Sequence, residues 1–205
     1  RPAGGLRPQG QQALDARGRF NEVVTRGHET ENIKIEIQVR LPIAGRSRLV
    51  FGEGAPHAQL VFVGEGPGFD EDRQGRPFVG RAGKLLDKMI QAIQLKREEV
   101  YICNAVKCRP PDNRTPSPDE IEVCSPFLFQ QLEAIRPKVI CALGLCAAQT
   151  LLGKAPSVGQ LRGRTFQWRG IPLISTYHPA YLLRNPVQKG ATWQDLREVR
   201  RILLS

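Results

Sequence analysis

The sequence predicts an α/β fold, a three-layer α/β/α sandwich around a central four-stranded parallel sheet. Apolar runs typical of strands alternate with segments of helical periodicity. The strand runs are almost continuously apolar, as expected for a parallel sheet covered on both faces. A chain of 205 residues, 40% of them hydrophobic, is long enough for one well-filled core. No apolar run approaches the ~18 residues that span a bilayer, so we expect no membrane partner. We also expect a monomer.

Four strands and their connecting helices follow in chain order. Gln59–Val63 is a short apolar run that opens into a glycine-rich loop, and Ala82–Leu95 has apolar residues at helical spacing. Val100–Val106 predicts the second strand, and Ser117 begins a capping box for the next helix. The remaining elements are a strand, a helix, a strand and a final helix: Val139–Leu143, Cys146–Leu152, Ile171–Thr176 and a stretch near Tyr181.

The N-terminal part has a different composition. Residues 1–32 mix Gly, Pro, Gln and charged residues with little periodicity, which predicts a loosely structured arm. Asn32–Val39 alternates apolar and polar residues, a pattern typical of a half-buried or edge strand. We therefore predict an arm over residues 1–32 and one domain over residues 33–205.

The basic residues are unevenly distributed. The net charge of +10 divides into +4 over residues 1–48, zero over 49–159 and +6 over 160–205. Basic flanks attract a polyanion, most simply a nucleic acid, although a solvated surface with surplus arginine is the alternative.

The number and spacing of the cysteines and histidines bear on the cellular compartment and on zinc binding. Five cysteines are an odd count scattered over a mid-sized chain, which argues against a disulfide framework and predicts a cytoplasmic protein. The three histidines follow no zinc-binding spacing.

Polar side chains follow the predicted strands at their carboxyl ends, where parallel sheets bind ligands. The candidates are Glu65, Glu71, Asp72, Asn104 and His178. The Gly64–Gly68 loop superficially resembles a dinucleotide loop, but a proline and an acidic run stand where a helix would receive a pyrophosphate.

Four motifs occupy these strand ends: GEGPG at 64–68, EDRQGRPFVGRAG at 71–83, NAVKCRPP at 104–111 and HPAYLLRN at 178–185. Together and in this order they resemble the family-4 uracil-DNA glycosylases, over about Val50 to Leu204. The resemblance implies a catalytic domain that hydrolyses the N-glycosidic bond of flipped-out deoxyuridine in DNA. Free uracil and an abasic site would be the products, and base-excision repair would follow. The alternative is a catalytically silent DNA- or nucleotide-binding domain on the same scaffold.

The resemblance assigns a uracil pocket. Phe78 would stack on the flipped base, and the Asn104 amide would pair with the N3–H and O4 edge that distinguishes uracil from cytosine. Glu71 would lie near C5, where thymine carries its methyl group, and the Gly66 backbone would lie near the sugar. From the residues alone, Phe78 is better explained as a core residue, and a solvated loop is the alternative for the acidic run around Glu71 and Asp72. A turn residue is the alternative for Asn104, but Ala105 and Val106 after it are not typical of a turn, which favours function.

Two residues are assigned to catalysis. His178 resembles the family histidine that donates to uracil O2, where negative charge develops. Gly66 stands where the best-known uracil glycosylases carry a catalytic aspartate, so Glu65 as general base is a separate hypothesis. Without the resemblance, a functional His178 and a His178-Pro179 pair that begins a helix are both open.

Leu182, Leu183 and Arg184 are assigned to DNA. An apolar wedge can fill the gap left by the flipped base, and an arginine can meet a phosphate. Which leucine inserts is open, and an ordinary amphipathic helix start is the alternative.

The resemblance also implies a [4Fe-4S] cluster on four cysteines. Cys108 and Cys124 match two of them, but the N-terminal pair is absent, because no cysteine precedes Cys103. Three explanations are open: a lineage without the cluster, non-cysteine ligands from the arm, or an unreliable N-terminal sequence. The remaining cysteines are predicted core residues: Cys103, Cys141 and Cys146.

Overall fold

The computed structural model describes residues 19–25, 32–38 and 48–205. Strand β1 (Arg19–Thr25) pairs antiparallel with β2 (Asn32–Gln38), the strand predicted from its alternation. Arg19–Thr25, assigned to the loose arm, is thus a strand, and apart from Asn32, the first residue of β2, the rest of the predicted arm lies outside the described residues. The chain divides into two compact units, Arg1–Pro42 and Ile43–Ser205, whereas the sequence predicted a boundary between residues 32 and 33.

The second unit contains a six-stranded sheet. Its four inner strands are parallel, as predicted, and lie in the order β5 (Tyr101–Asn104), β4 (Leu60–Gly64), β6 (Val139–Leu143) and β8 (Ile171–Thr176). Each edge of the sheet has an antiparallel strand that the sequence did not predict. Strand β3 (Glu53–Gly54) lies beside β5, and β7 (Thr165–Trp168) lies beside β8. The sheet is therefore mixed, with a parallel centre.

The edge strand β7 is formed by a tight hairpin. Trp168 pairs with Ile171, and the two residues between them, Arg169 and Gly170, have φ of +47° and +83°. Two positive φ values in a two-residue loop are typical of a type I′ turn, whose twist suits a hairpin. The strand has little apolar periodicity of its own, so its residues alone predict it only weakly.

Helices cover both faces of the sheet. They are α1 (Phe69–Gln74), α2 (Arg81–Ala92), α3 (Pro118–Ile135), α4 (Leu145–Leu152), α5 (Val158–Leu161), α6 (Pro179–Arg184) and α7 (Lys189–Leu204). The predicted capping box at α3 is confirmed, because Ser117 N donates to Glu120 Oε2 (2.8 Å) while Glu120 N donates to Ser117 Oγ (3.4 Å). No helix within the described ranges is both long and apolar enough to cross a membrane.

Strand β4 illustrates how the three layers form. All five of its residues are buried, and alternate side chains point to opposite faces. Val61 and Val63 pack in one core with residues of α3 and α4, and Leu60 and Phe62 pack in a second core with residues of α2 and α7. Full burial of such a side chain contributes about 1.5–3 kcal/mol, so the central strands fix the sandwich.

Candidate functional site

A cavity of about 480 Å³ lies at the carboxyl ends of β4, β5 and β8. Residues from all three strand ends line it, together with the loop after β5 and the start of α6. Among them are most of the predicted site residues: Glu65, Gly66, Glu71, Phe78, Asn104, His178 and Arg184. The cavity therefore lies at the strand ends where the sequence predicted a site.

Asn104, the last residue of β5, has an unusual environment. Its side chain is 1% exposed, and its Oδ1 has no hydrogen-bond partner within the described part of the chain. Gly64 faces it across the sheet, and a Cβ at Gly64 would lie only 2.4 Å from Asn104 Oδ1 and 2.5 Å from Phe78 Cζ. Glycine is thus required for the amide and the ring to lie side by side.

Phe78 is held in a strained conformation. Its φ is +52°, a value that non-glycine residues adopt rarely and only when neighbouring contacts enforce it. Arg97 Nη2 donates to Pro77 O (2.6 Å) before it, and Val79 N and Gly80 N donate to one carboxylate oxygen after it. The ring is nearly buried, and its centroid lies 5.5 Å from that of the His178 ring.

The carboxylate that holds this loop belongs to Glu71. Its Oε1 accepts from Val79 N (2.9 Å) and Gly80 N (3.0 Å), and its Oε2 accepts from Gly68 N (3.1 Å) at the start of α1. Glu71 lines the cavity, but both oxygens are engaged by the backbone. Glu71 therefore connects the two loops that carry Phe78 and the glycine-rich segment, and it is no solvated surface acid. Its predicted place near uracil C5 stays a prediction.

His178 caps α6 from the opposite wall. Its Nδ1 accepts from Ala180 N (3.1 Å), so in the neutral ring the proton is on Nε2. Burial and, to a smaller extent, the charge of Arg184 together lower the pKa of His178 to about 4, while the charge of Glu71 opposes this shift. At neutral pH the ring is therefore an uncharged donor.

Glu65 and Gly66 extend β4 into the cavity wall. Glu65 is partly buried, and burial raises the pKa of its carboxyl group. Its backbone is fixed, because Val106 N donates to Glu65 O (3.1 Å). A Cβ at Gly66 would lie 2.7 Å from Val106 Cγ2, so this position has no room for a larger residue without a shift of that side chain.

Helix α6 separates the two predicted wedge leucines. Leu182 is 1% exposed and packs in the core with residues of α2 and α7, which does not favour it as the inserting leucine. Leu183 is 44% exposed, and Arg184 is exposed at the rim of the cavity. Successive residues of a helix point about 100° apart, which is why one leucine is buried and the next is not.

Part of the cavity wall was not predicted. The loop after β5 contributes Asn113, Arg114, Thr115 and Pro116, and α6 contributes Tyr181. Arg114 pairs with Glu120 at 2.8 Å, which fixes the loop on the capping box of α3. The strand-end rule applied to the whole NAVKCRPP segment and the residues after it would have indicated this loop.

The two cysteines expected to bind iron are both buried. Cys108 and Cys124 are 0% exposed, and Cys124 accepts a backbone hydrogen bond from Lys107. A [4Fe-4S] cluster needs a terminal ligand for each iron. Residues 48–205 contain no group of three or more histidine, cysteine or acidic side chains placed to hold a metal, and the sequence has no cysteine before Cys103. These residues do not fit a four-cysteine cluster.

Comparison with known proteins agrees with this geometry. The model of the uracil DNA glycosylase superfamily matches residues 51–197. The type-4 uracil-DNA glycosylase of Thermotoga maritima is 49% identical over 78% of this chain and 79% of its own length, and that of Saccharolobus solfataricus is 45% identical over 78% of each. A type-5 uracil-DNA glycosylase of Pyrobaculum aerophilum is 32% identical over 72% of each chain. The chain belongs to the uracil-DNA glycosylase superfamily and, within it, to the type-4 family.

Proposed function

We propose that this chain hydrolyses the N-glycosidic bond of deoxyuridine in DNA, releasing uracil and leaving an abasic site for base-excision repair. The observation that carries this function is the buried Asn104 Oδ1, which lacks a partner within the described residues and lies on the wall of the cavity. A buried polar atom left unpaired costs about 1–3 kcal/mol. Uracil N3–H would remove that cost, whereas cytosine N3 carries no proton and would not.

Phe78 and His178 supply the surfaces that hold the base. Because a base inside a duplex cannot reach a cavity, the nucleotide must be flipped out. A uracil that pairs with Asn104 would lie against the Phe78 ring, and stacking on an aromatic side chain contributes about 1–3 kcal/mol. The hydrogen bonds of Glu71 keep that ring in place before the substrate binds.

His178 would stabilise the departing uracil. As the C1′–N1 bond breaks, its electrons move into the base and negative charge develops on O2. A neutral imidazole with its proton on Nε2 donates to that oxygen without losing the proton. The lowered pKa of about 4 supports this donor state at the pH of the cell.

Glu65 is the candidate for activating water. The carboxylate would take one proton from a water molecule while the water oxygen bonds to C1′ and uracil leaves as the anion. Burial raises the pKa of Glu65, which makes it a better base than a solvated carboxylate. The Gly66 backbone would lie beside the sugar.

The rim of the cavity would meet the DNA. Leu183 is the leucine of α6 that is exposed and could fill the gap left by the flipped base, and Arg184, which lines the cavity, is placed for a phosphate. We also propose that the protein works as a monomer in the cytoplasm. The five cysteines support a reducing compartment, since all of them are free and buried.

This chain differs from the family-4 enzymes in the cysteines that would bind their cofactor. Family-4 enzymes carry a [4Fe-4S] cluster, but Cys108 and Cys124 are only half of a four-cysteine set. No step of the proposed reaction therefore involves a cluster. Iron analysis and the visible absorbance of the purified protein test this directly: stoichiometric iron with a cluster band would mean that residues other than cysteine complete the set.

The activity is tested with an oligonucleotide that contains one deoxyuridine. Incubation followed by alkali should cleave the strand at uracil, and matched strands with thymine or cytosine at that position should stay intact. His178→Ala should greatly reduce cleavage. Tight binding to the uracil strand without cleavage by the unaltered protein would instead support the silent DNA-binding alternative.

A further inference from the structure

Lys107 is a buried cation three residues after the proposed uracil-reading residue. It is 2% exposed, although lysine is almost never fully buried without compensation. Its Nζ donates to the backbone carbonyl oxygen of Asn104 (2.9 Å) and to Gln131 Oε1 (2.5 Å), and it lies 5.8 Å from the centre of the Phe51 ring. The functional assignments above give this lysine no role.

The partner Gln131 is itself fixed from two sides. It lies on α3, it is 2% exposed, and its Nε2 donates to Phe51 O (3.0 Å) and to Tyr101 Oη (3.2 Å). With both donor hydrogens engaged, its Oε1 is turned toward Lys107. The ammonium group is therefore anchored to helix α3 and to strand β5 through a satisfied polar network.

The other end of this network is the backbone of Asn104. Hydrogen bonds from Ala105 N to Gly64 O (2.9 Å) and from Val106 N to Glu65 O (3.1 Å) hold the chain after Asn104 against β4. The Asn104 carbonyl receives the Lys107 ammonium instead, and hydrogen bonds to charged donors are stronger than neutral ones. The peptide plane that carries the Asn104 side chain is thereby fixed from both sides.

We propose that Lys107 is a positioning residue for uracil recognition, which acts by holding the Asn104 backbone so that the side-chain amide faces the N3–O4 edge of the base. This inference rests on the proposed function. A recognition amide must be held within about 0.5 Å of its productive position, and misplacement by about 1 Å can cost 10²-fold in rate. The buried charge thus supports base recognition as well as the junction between α3 and β5.

The experiment compares free uracil, which is the base itself, with an abasic-site duplex, which lacks the base. Lys107→Met keeps the length of the side chain and removes its charge and donors. We expect the inhibition constant of free uracil to rise at least 10-fold and single-turnover excision to slow about 10–100-fold. Binding of a duplex with an abasic site should change less than about twofold, because that ligand has no base for Asn104 to recognise.

A matched core variant separates positioning from general destabilisation. Leu128 lies on α3, as Gln131 does. Leu128→Ala removes a fully buried side chain of the core and should lower thermal stability without changing the uracil inhibition constant. If Lys107→Met binds uracil as well as the unaltered protein, or is impaired only as far as Leu128→Ala, the positioning role is wrong. Should the unaltered protein excise no uracil, the proposed function fails first.

A second variant covers the possibility that Lys107→Met does not fold. Gln131→Met removes one acceptor of the ammonium group and leaves the lysine in place. It should weaken uracil inhibition in the same direction by several-fold, with abasic-site binding unchanged. Equal uracil inhibition by Gln131→Met and the unaltered protein would contradict the proposed network.

Discussion

The proposed base-reading wall and the proposed DNA-facing rim of the cavity are built in opposite ways. Asn104 and Phe78 are buried, His178 is partly buried, and the three are fixed by strand ends, backbone hydrogen bonds and a capped helix. Leu183 and Arg184 are exposed at the end of a six-residue helix. A buried polar atom is expensive to leave unpaired, whereas an exposed charge is screened by salt. We therefore expect changes in the wall to affect excision strongly, and changes in the rim to affect affinity modestly.

Asn104→Ala should cause the largest loss. It removes the amide that we propose pairs with N3–H and O4, and recognition of this kind discriminates by about 10⁴-fold or more when the polar groups are mismatched. We expect kcat/KM for uracil excision to fall about 10³-fold or more, measured by single-turnover cleavage of the deoxyuridine strand.

The control for Asn104→Ala is its affinity for an abasic-site duplex, which should stay close to that of the unaltered protein. An equal loss of both affinity and excision would mean that the substitution damages the fold and that the wall does not act separately from the rim.

Glu65→Gln should have the next largest effect. General base catalysis contributes about 10²–10⁴-fold, so we expect excision to slow about 100-fold. Because burial raises the pKa of Glu65, the rate of the unaltered protein should decline as the pH falls, from a pH higher than for a solvated carboxyl group. This acidic decline should be missing from the pH profile of Glu65→Gln. An unchanged rate would remove Glu65 from the mechanism.

The lowered pKa of His178 predicts how the stability of the folded protein depends on pH. Its pKa is about 4 in the folded protein and about 6.5 in an unfolded chain, so the unfolded chain binds more protons between these values. Stability should thus rise with pH through this window and level off above it. At about pH 5 this group should make the protein about 2 kcal/mol less stable than at about pH 7.5.

Urea unfolding at the two pH values measures this effect, and His178→Gln provides the reference, since glutamine does not titrate. The difference between the pH dependences of the two proteins isolates His178 from the other titrating groups. Identical pH dependences would mean that the ring is not buried as a neutral donor.

The sequence predicted the centre of the fold better than its edges for a physical reason. The inner strands are buried on both faces, so a run such as Val139–Leu143 is apolar throughout and its bounds are confirmed. The edge strands β3 and β7 are short, and their positions depend on turns and neighbours rather than on a pattern of their own. The helix Lys189–Leu204 was not predicted either, because its polar and basic residues obscure its apolar face.

The sequence predicted the location of the candidate site, but it could not predict the role of each residue in it. The strand-end rule brought Glu65, Asn104 and His178 together. It could not distinguish buried Leu182 from exposed Leu183, because that difference arises from packing against α2 and α7. The hydrogen bonds that Val79 N and Gly80 N donate to Glu71 also join residues whose proximity no local pattern encodes.

The charge of the rim is smaller than the sequence total implies. Residues 160–205 carry a net +6, but Arg162 is engaged by buried Asp195 (2.7 Å) and Arg201 by Glu198 (2.6 Å). Within the described ranges, Arg184 has no such acidic partner and lines the cavity. It is therefore the arginine of this region best placed to meet a phosphate.

Arg184→Ala should produce the smallest effect and the most salt-dependent one. Loss of one phosphate contact should weaken DNA binding by several-fold at low salt and reduce the slope of log affinity against log salt by about 1. Arg197→Ala is the matched control, because it removes an equal charge from an exposed position on α7 that does not line the cavity. The affinities of both variants for a deoxyuridine duplex should be measured over a salt series. If the two substitutions lower the slope equally, the rim acts only through its net charge. A lower slope for Arg184→Ala alone would identify a specific phosphate contact beside the buried wall.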